Sequence, residues 1–476
     1  MTLNVEKECM IFGKDNYLSM NQIKTHLNCN SMVIGASGAG KTRSFLYPNL
    51  MQMNGSYIII DTKGQAFRNF AQMFENNGYA VKLINLVDPT KGLHYNPFHY
   101  FKDQKDLESF VKSLVYAKNE EDPEVRSRDP FWERAAEILL GAICGYLWKE
   151  CLPKEQNIGS VLKLLSLNEV KYEDNDFKSV IDHLFDDVQK KYEKLRISPN
   201  IPDPFYLRKY KQYKLAADRT AMSINIVAAA ALGRYDNDDI RQMMSDDEIE
   251  IDMIGDRKTA IFVIVSDTDS LFHPIAGLFI DQCLKTLIRK ADERDDGKLP
   301  VHVSMFIDDA ASIPIYGMDK YMAEVRSREI SINLIFQNEN QLTTCYGSAG
   351  ADIRENCNTY LFLGGNSVYT EEIIGKWFDM DPKDVHKLPH DKALIMQKSN
   401  DGKLITKFYP EDHPCYSQSG LHDSKNQLSP DVFTEKYIEK MKKEGKCLGE
   451  ERENRMFPIK HQQKQKKQKK RTKKVL

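Results

Sequence analysis

Gly35, Ala36, Ser37, Gly38, Ala39, Gly40, Lys41 and Thr42 fill every required position of a phosphate-binding loop: a glycine, four residues, then Gly-Lys-Thr. Glycines let the backbone turn its N–H groups inward onto phosphate oxygens, in conformations that a side chain would forbid. Lys41 would hold the outer phosphates of a nucleotide, and the Thr42 hydroxyl would hold Mg2+. Ordinary residue frequencies produce such a pattern by accident in roughly a few per cent of chains this long, so context decides. The apolar run Met32-Val33-Ile34 precedes the loop, as a buried strand should. The residues that follow, Arg43-Ser44-Phe45-Leu46-Tyr47, can begin a helix that Pro48 would then interrupt. Strand, loop and helix is the context that the motif requires.

A chain of 476 residues suggests two or three domains and can bury a large core. With 29% charged and 41% apolar residues, most of it should be globular. No apolar run reaches the roughly 18–20 residues that span a bilayer. The nearest candidate, residues 135–148, contains Glu137 and reads as a buried helix. The N-terminal residues lack the basic-then-apolar layout of a signal peptide. Nine cysteines without a CxxC pair point away from zinc and toward reduced thiols in a cytoplasm. The net charge of −2 hides an asymmetry. From Lys460 onward nine cations stand without an acid, and removing them leaves about −11 for the rest. Such an arm reads either as a disordered segment that touches nucleic acid or anionic lipid, or as a solubilising tail.

Strand-like apolar runs recur at residues 56–60, 80–86, 260–265, 301–307, 330–336 and 360–363. Several are almost continuously apolar, which suits strands covered on both faces, and helical segments lie between many of them. The expected fold is α/β, a RecA-like P-loop NTPase domain with a mostly parallel sheet. Residues 101–256 differ: helix-period segments such as 131–140 and 216–232 dominate, so an all-helical insertion is expected there. Residues 120–129 read as a charged loop. The expected division is 1–100 and 257–425 for the two parts of the NTPase domain, 101–256 for the insertion, and 426–476 for a polar helix (430–443) with a disordered basic tail.

The run 301–307 ends in Asp308-Asp309, the pattern of a Walker B strand. A carboxylate there reaches the C-terminal edge of the sheet, where open α/β sheets bind ligands. Asp308 would hold Mg2+ through water, and Asp309 would polarise the attacking water. A strand that simply ends in a polar turn looks the same when taken alone. Gln337, at the end of the run 330–336, would sense the γ-phosphate or position water; an ordinary strand-terminal glutamine is the alternative. Arg326-Ser327-Arg328 precedes that run. Arginine suits the stabilisation of transferring phosphate, also across a subunit boundary, and a solvated helix end is the other reading.

Taken in order, these residues resemble conjugative coupling proteins of the TraG/TraD kind, the hexameric ATPases of type IV secretion. The resemblance runs from about residue 28 to residue 410. It rests on the loop with Arg43 and Tyr47-Pro48-Asn49-Leu50, on Asp61-Thr62-Lys63-Gly64, on Asn96-Pro97-Phe98 and on Phe131-Trp132. Asp308-Asp309-Ala310-Ala311-Ser312-Ile313-Pro314 and the block Arg326-Ser327-Arg328, Gln337, Gln341-Leu342, Tyr346-Gly347 complete it. The resemblance implies a ring-forming homo-hexamer that binds ATP between subunits and drives single-stranded DNA with its relaxase toward the secretion channel proteins. It implies catalytic roles for Lys41, Asp308, Asp309, Gln337 and Arg326, with Arg326 acting between subunits and Arg328 as its rival. It further implies that the helical insertion meets DNA or relaxase.

Three departures stand out. Asp309 replaces the usual Glu, Gln65 stands where Glu is usual, and this chain starts only about thirty residues before the loop, whereas family members commonly begin with membrane-spanning helices. A cytoplasmic protein, peripheral at the inner face of the cell membrane and held by a separate membrane anchor, is expected, or else a soluble ring. The alternatives in function are a nucleotide-binding adaptor that does not hydrolyse, motivated by Asp309, and a related ring DNA translocase for segregation or packaging.

Overall fold

Eleven strands carry the architecture: β1 (Cys9–Gly13), β2 (Asn16–Ser19), β3 (Ser31–Ile34), β4 (Ser56–Asp61), β5 (Ala80–Asn85), β6 (Thr259–Ile264), β7 (Val303–Ile307), β8 (Ile330–Phe336), β9 (Thr359–Phe362), β10 (Lys392–Gln397) and β11 (Lys403–Thr406). They come from a computed structural model that describes residues 8–116, 130–171, 177–195, 202–313, 315, 317–398 and 401–444. β1 and β2 form a small antiparallel hairpin. The other nine make one sheet in the order β11-β10-β9-β3-β8-β7-β4-β6-β5. From β9 to β5 every neighbouring pair is parallel. These seven strands are the apolar runs read from the sequence, including Met32-Val33-Ile34, to within two residues at each end. All residues of β3, β4 and β6 to β9 are buried, as strands covered by helices on both faces must be. β10 and β11 add an antiparallel edge.

The helix expected to break at Pro48 does not break. Residues Thr42–Leu46 form a wide π turn that runs directly into the α-helix Tyr47–Met51. The Tyr47 N–H donates to the Thr42 carbonyl, five residues back. A proline ring clashes with the carbonyl four residues before it and brings no donor of its own. The widened turn relieves both problems, and Pro48 sits in the first turn of the α-helix that follows.

Between β5 and β6 the described residues hold helices and no strand. The longest, Phe131–Glu150, includes the apolar stretch read as a buried helix. Gly145 sets its closest approach, since a Cβ there would lie 2.6 Å from the Cβ of Tyr206 on helix Phe205–Tyr213. One turn further along that helix Tyr210 stacks on Phe185 with centroids 3.9 Å apart. The charged stretch 120–129 and the basic arm from residue 460 lie outside the described residues.

After β11 the chain wraps back over the helix Gln65–Asn76. The Gly420 N–H donates to the Asn69 carbonyl, Leu428 N–H to the Arg68 carbonyl, and Phe433 packs edge-on against Phe67. The helix Pro430–Lys443, capped by Ser429, has the bounds expected from sequence. His413 pins the start of this wrap. Its ring is 5% exposed, its Nε2 faces Gln52 Oε1 at 3.0 Å, and its Nδ1 accepts from the Cys415 N–H at 3.0 Å. A ring that accepts at one nitrogen is neutral, and burial holds its pKa down at about 4. In the unfolded chain the imidazole takes a proton near pH 6.5, so stability is complete above that value and is lost as pH falls toward 4. Urea titrations should show a loss of roughly 2–3 kcal/mol between pH 7 and pH 4.5 from this group, absent in His413→Gln.

Candidate functional site

The site lies at the C-terminal edge of the parallel strands, where β3 gives way to the loop. The Gly35 N–H donates to the Phe336 carbonyl at the end of β8, and the Ala36 N–H to the Gly364 carbonyl just beyond β9. The loop thus extends two parallel ladders before it turns. Gly38 and Gly40 then take φ values of 80° and 92°, which L side chains rarely adopt. The turn delivers residues 41–46 as a helix start pointing back at the loop, so that backbone N–H groups and the helix dipole face one small volume.

Lys41 is half-buried inside that volume. Its ammonium donates to the Gly35 carbonyl at 2.7 Å and the Ala36 carbonyl at 3.2 Å. Burial pulls its pKa below the usual lysine value, while Asp308 and Asp309 act in the opposite sense. The Thr42 hydroxyl donates to Asp308 Oδ2 at 3.1 Å, a contact spanning 266 residues of sequence. Asp308 is buried at the end of β7, and desolvation raises its pKa to about 6 in spite of Thr42 and Lys41. A buried carboxylate with a raised pKa is a group that gains from a cation.

Asp309 has a left-handed backbone, φ 54°, and its N–H donates to Asp308 Oδ1 at 3.1 Å. Aspartate tolerates this conformation better than most residues. Its Oδ2 accepts from the Ser312 hydroxyl at 2.7 Å, and its Oδ1 faces Gln337 Nε2 at 3.4 Å. Lys41, Thr42, Asp308, Asp309 and Gln337 therefore gather along one sheet edge, from β3, β7 and β8. Arg326 does not join them. It lies in a short 3-10 helix, residues Val325–Arg328, that precedes β8, at the other edge of the sheet, and donates to the His26 carbonyl at 2.8 Å. Arg328 is committed to Asp292 through two bonds of 2.7 and 3.0 Å.

Two further residues at this edge received no role from the sequence. Asp61, at the end of β4, is 5% exposed and accepts backbone N–H groups from Lys63, Gln65 and Phe67, which caps the helix Gln65–Asn76. Its signals were an acid ending an apolar strand, the same signal that singled out Asp308, and its place in the Asp61-Thr62-Lys63-Gly64 motif. Lys407 follows β11 and is 2% exposed, with its ammonium on the carbonyls of Ala39 and Leu363. A lone lysine beside Phe408 and Tyr409 carries no motif. Arg43 forms an exposed ion pair with Glu411 at the rim.

Among the described residues no helix is long and apolar enough to cross a membrane. Residues 3–376 match the model of the family described as type IV secretory system conjugative DNA transfer. The chain is similar to Protein VirD4 of Agrobacterium fabrum, 21% identical over 361 residues, covering 73% of this chain and 49% of that protein. It thus spans about half the length of that curated relative. Among solved structures it resembles the bacterial conjugative coupling protein TrwBdeltaN70 in its unbound monoclinic form, with TM-score 0.56, 13% identity, and 80% and 84% of the two chains covered. The plasmid coupling protein TrwB in complex with ADP and Mg2+ gives TM-score 0.55 and 14% identity, with coverage of 80% and 85%. At such identities the likeness concerns the fold: a mostly parallel sheet with a P-loop at its edge.

Proposed function

We propose, since the chain belongs to the family of type IV secretory system conjugative DNA transfer proteins, that it works as an ATP-driven coupling protein. It would bring relaxase-bound single-stranded DNA to a type IV secretion channel and drive its transfer. The observation that carries the nucleotide half of this reading is the Thr42–Asp308 contact, which sets a metal-binding hydroxyl and carboxylate 3.1 Å apart beside the loop. The residues fit Mg2+ and ATP: the loop from Gly35 to Thr42 would take the phosphates, and Thr42 and Asp308 the metal. Mg2+ neutralises and orients the phosphate oxygens during transfer. Lys41 would exchange its two carbonyl partners for phosphate oxygens. Asp309 would orient the attacking water, with Gln337 on its other carboxylate oxygen linking that water to β8. Aspartate is one methylene shorter than the usual glutamate, and a misplacement of that order is costly in a positioned reaction. Residues 101–256 would face DNA or relaxase, and six copies would close a ring.

The test is ATP turnover by the full chain with and without single-stranded DNA, read together with the oligomeric state. Turnover stimulated at least about tenfold by DNA, in an oligomer, is expected for a motor whose kcat falls in the usual range of roughly 1–10³ per second. No DNA-stimulated turnover, together with no hydrolysis in a single-turnover measurement, would sink the motor and leave an adaptor that binds nucleotide only.

A further inference from the structure

A loop that turns its N–H groups inward must turn carbonyls outward, and a buried carbonyl needs a donor. For Ala39 that donor comes from 368 residues away in sequence. The Lys407 ammonium lies 2.9 Å from the Ala39 carbonyl and 2.8 Å from the Leu363 carbonyl at the end of β9. Its own N–H donates to the Asp391 carbonyl, just before β10, at 2.8 Å. The side chain thus ties the phosphate loop, β9 and the β10–β11 hairpin at one point. Asp391 is the acid whose field favours its charge, and burial outweighs it, pulling the pKa down to about 8. Burying an ammonium without a carboxylate in hydrogen-bond contact is costly, and an apolar side chain would fill the space without that cost.

We propose that Lys407 is a positioning residue of the nucleotide site: its ammonium fixes the Ala39 peptide from behind and places a positive charge at the back of the phosphate cradle. This rests on the loop being a nucleotide site. Lys407 touches no phosphate; it acts through the loop. Fixing Ala39 holds the Gly38 and Gly40 turns in the shape that aims their N–H groups, and preorganised donors bind an anion without paying for their own ordering.

The test uses the full chain and three variants. Lys407→Met keeps length and loses both donors and charge. It should bind MgADP and inorganic pyrophosphate about 10- to 100-fold more weakly, the size of a lost charged hydrogen bond. Backbone hydrogen exchange in residues 35–42 should speed up at least about tenfold while β7 and β8 stay protected. Lys407→Arg, which keeps charge and donors, should recover affinity to within about threefold, which a mere packing role would not allow. If Lys407→Met fails to fold, Lys407→Gln provides the same two measurements. MgADP affinity within twofold of the parent, with unchanged exchange in residues 35–42, overturns the proposal. A parent chain that binds neither MgADP nor pyrophosphate would instead overturn the reading of the loop, and the exchange experiment would still decide whether Lys407 holds it.

Discussion

Lys41→Ala should leave the fold intact and lower ATP turnover by at least on the order of 10²–10³, the cost of removing one preorganised charge-stabilising donor. Both halves follow from where Lys41 sits. Its ammonium bonds only to the carbonyls of Gly35 and Ala36, within its own loop, so truncation breaks no tie between elements. Burial already disfavours its charge, so thermal melting should move little. In transfer, however, the outer phosphates would lose the one cation that reaches them from inside the loop. The measurements are thermal melting, MgATP binding and DNA transfer between cells. Transfer at the parental frequency would refute a catalytic P-loop.

Arg326→Ala should be at least as damaging to hydrolysis and far less so to binding. An arginine supplied to transferring phosphate contributes on the order of 10³–10⁵ in kcat. Arg326 stands before β8, whereas the loop leaves the far end of β3, which pairs with β8 at Ile34 and Phe336. Seven residues of strand place the two edges about 20 Å apart, beyond the reach of a side chain within one subunit. The expected role is therefore in a neighbouring subunit of a ring. Mixing Arg326→Ala with Lys41→Ala chains should restore part of the activity, because a mixed interface can unite an intact loop with an intact arginine. Arg328→Ala should instead lower stability, since its two bonds to Asp292 tie the 3-10 helix to the helix His273–Asp292. Parental turnover by Arg326→Ala, or no recovery on mixing, would remove the arginine from the mechanism.

The parallel strands were legible because burial on both faces leaves a nearly unbroken apolar run, as in Ser56–Asp61 and Ile330–Phe336. The antiparallel edge was not. β11 is four residues, Lys-Leu-Ile-Thr, with one buried side chain, and β10 is buried only at Ala393, Leu394 and Ile395. Edge strands have fewer neighbours, so their composition carries less of the signal. The hairpin β1–β2 is equally short. Pro48 misled for a local reason: the rule that proline breaks a helix assumes a four-residue turn, and this turn has five.

Local chemistry in the chain was enough to mark out the loop from Gly35 to Thr42, a strand ending in Asp308-Asp309, a family, and a helical stretch between β5 and β6. Those features depend on residue types at short spacing, so they are written where they act. Folding added the long-range relations. It set Thr42 on Asp308 across 266 residues, joined Asp309 to Gln337, sent Arg326 to the opposite edge, and brought Lys407 behind Ala39. Each of these depends on strand order and parallel register. Any one sheet order leaves the local sequence unchanged yet selects different residues to meet at its edge.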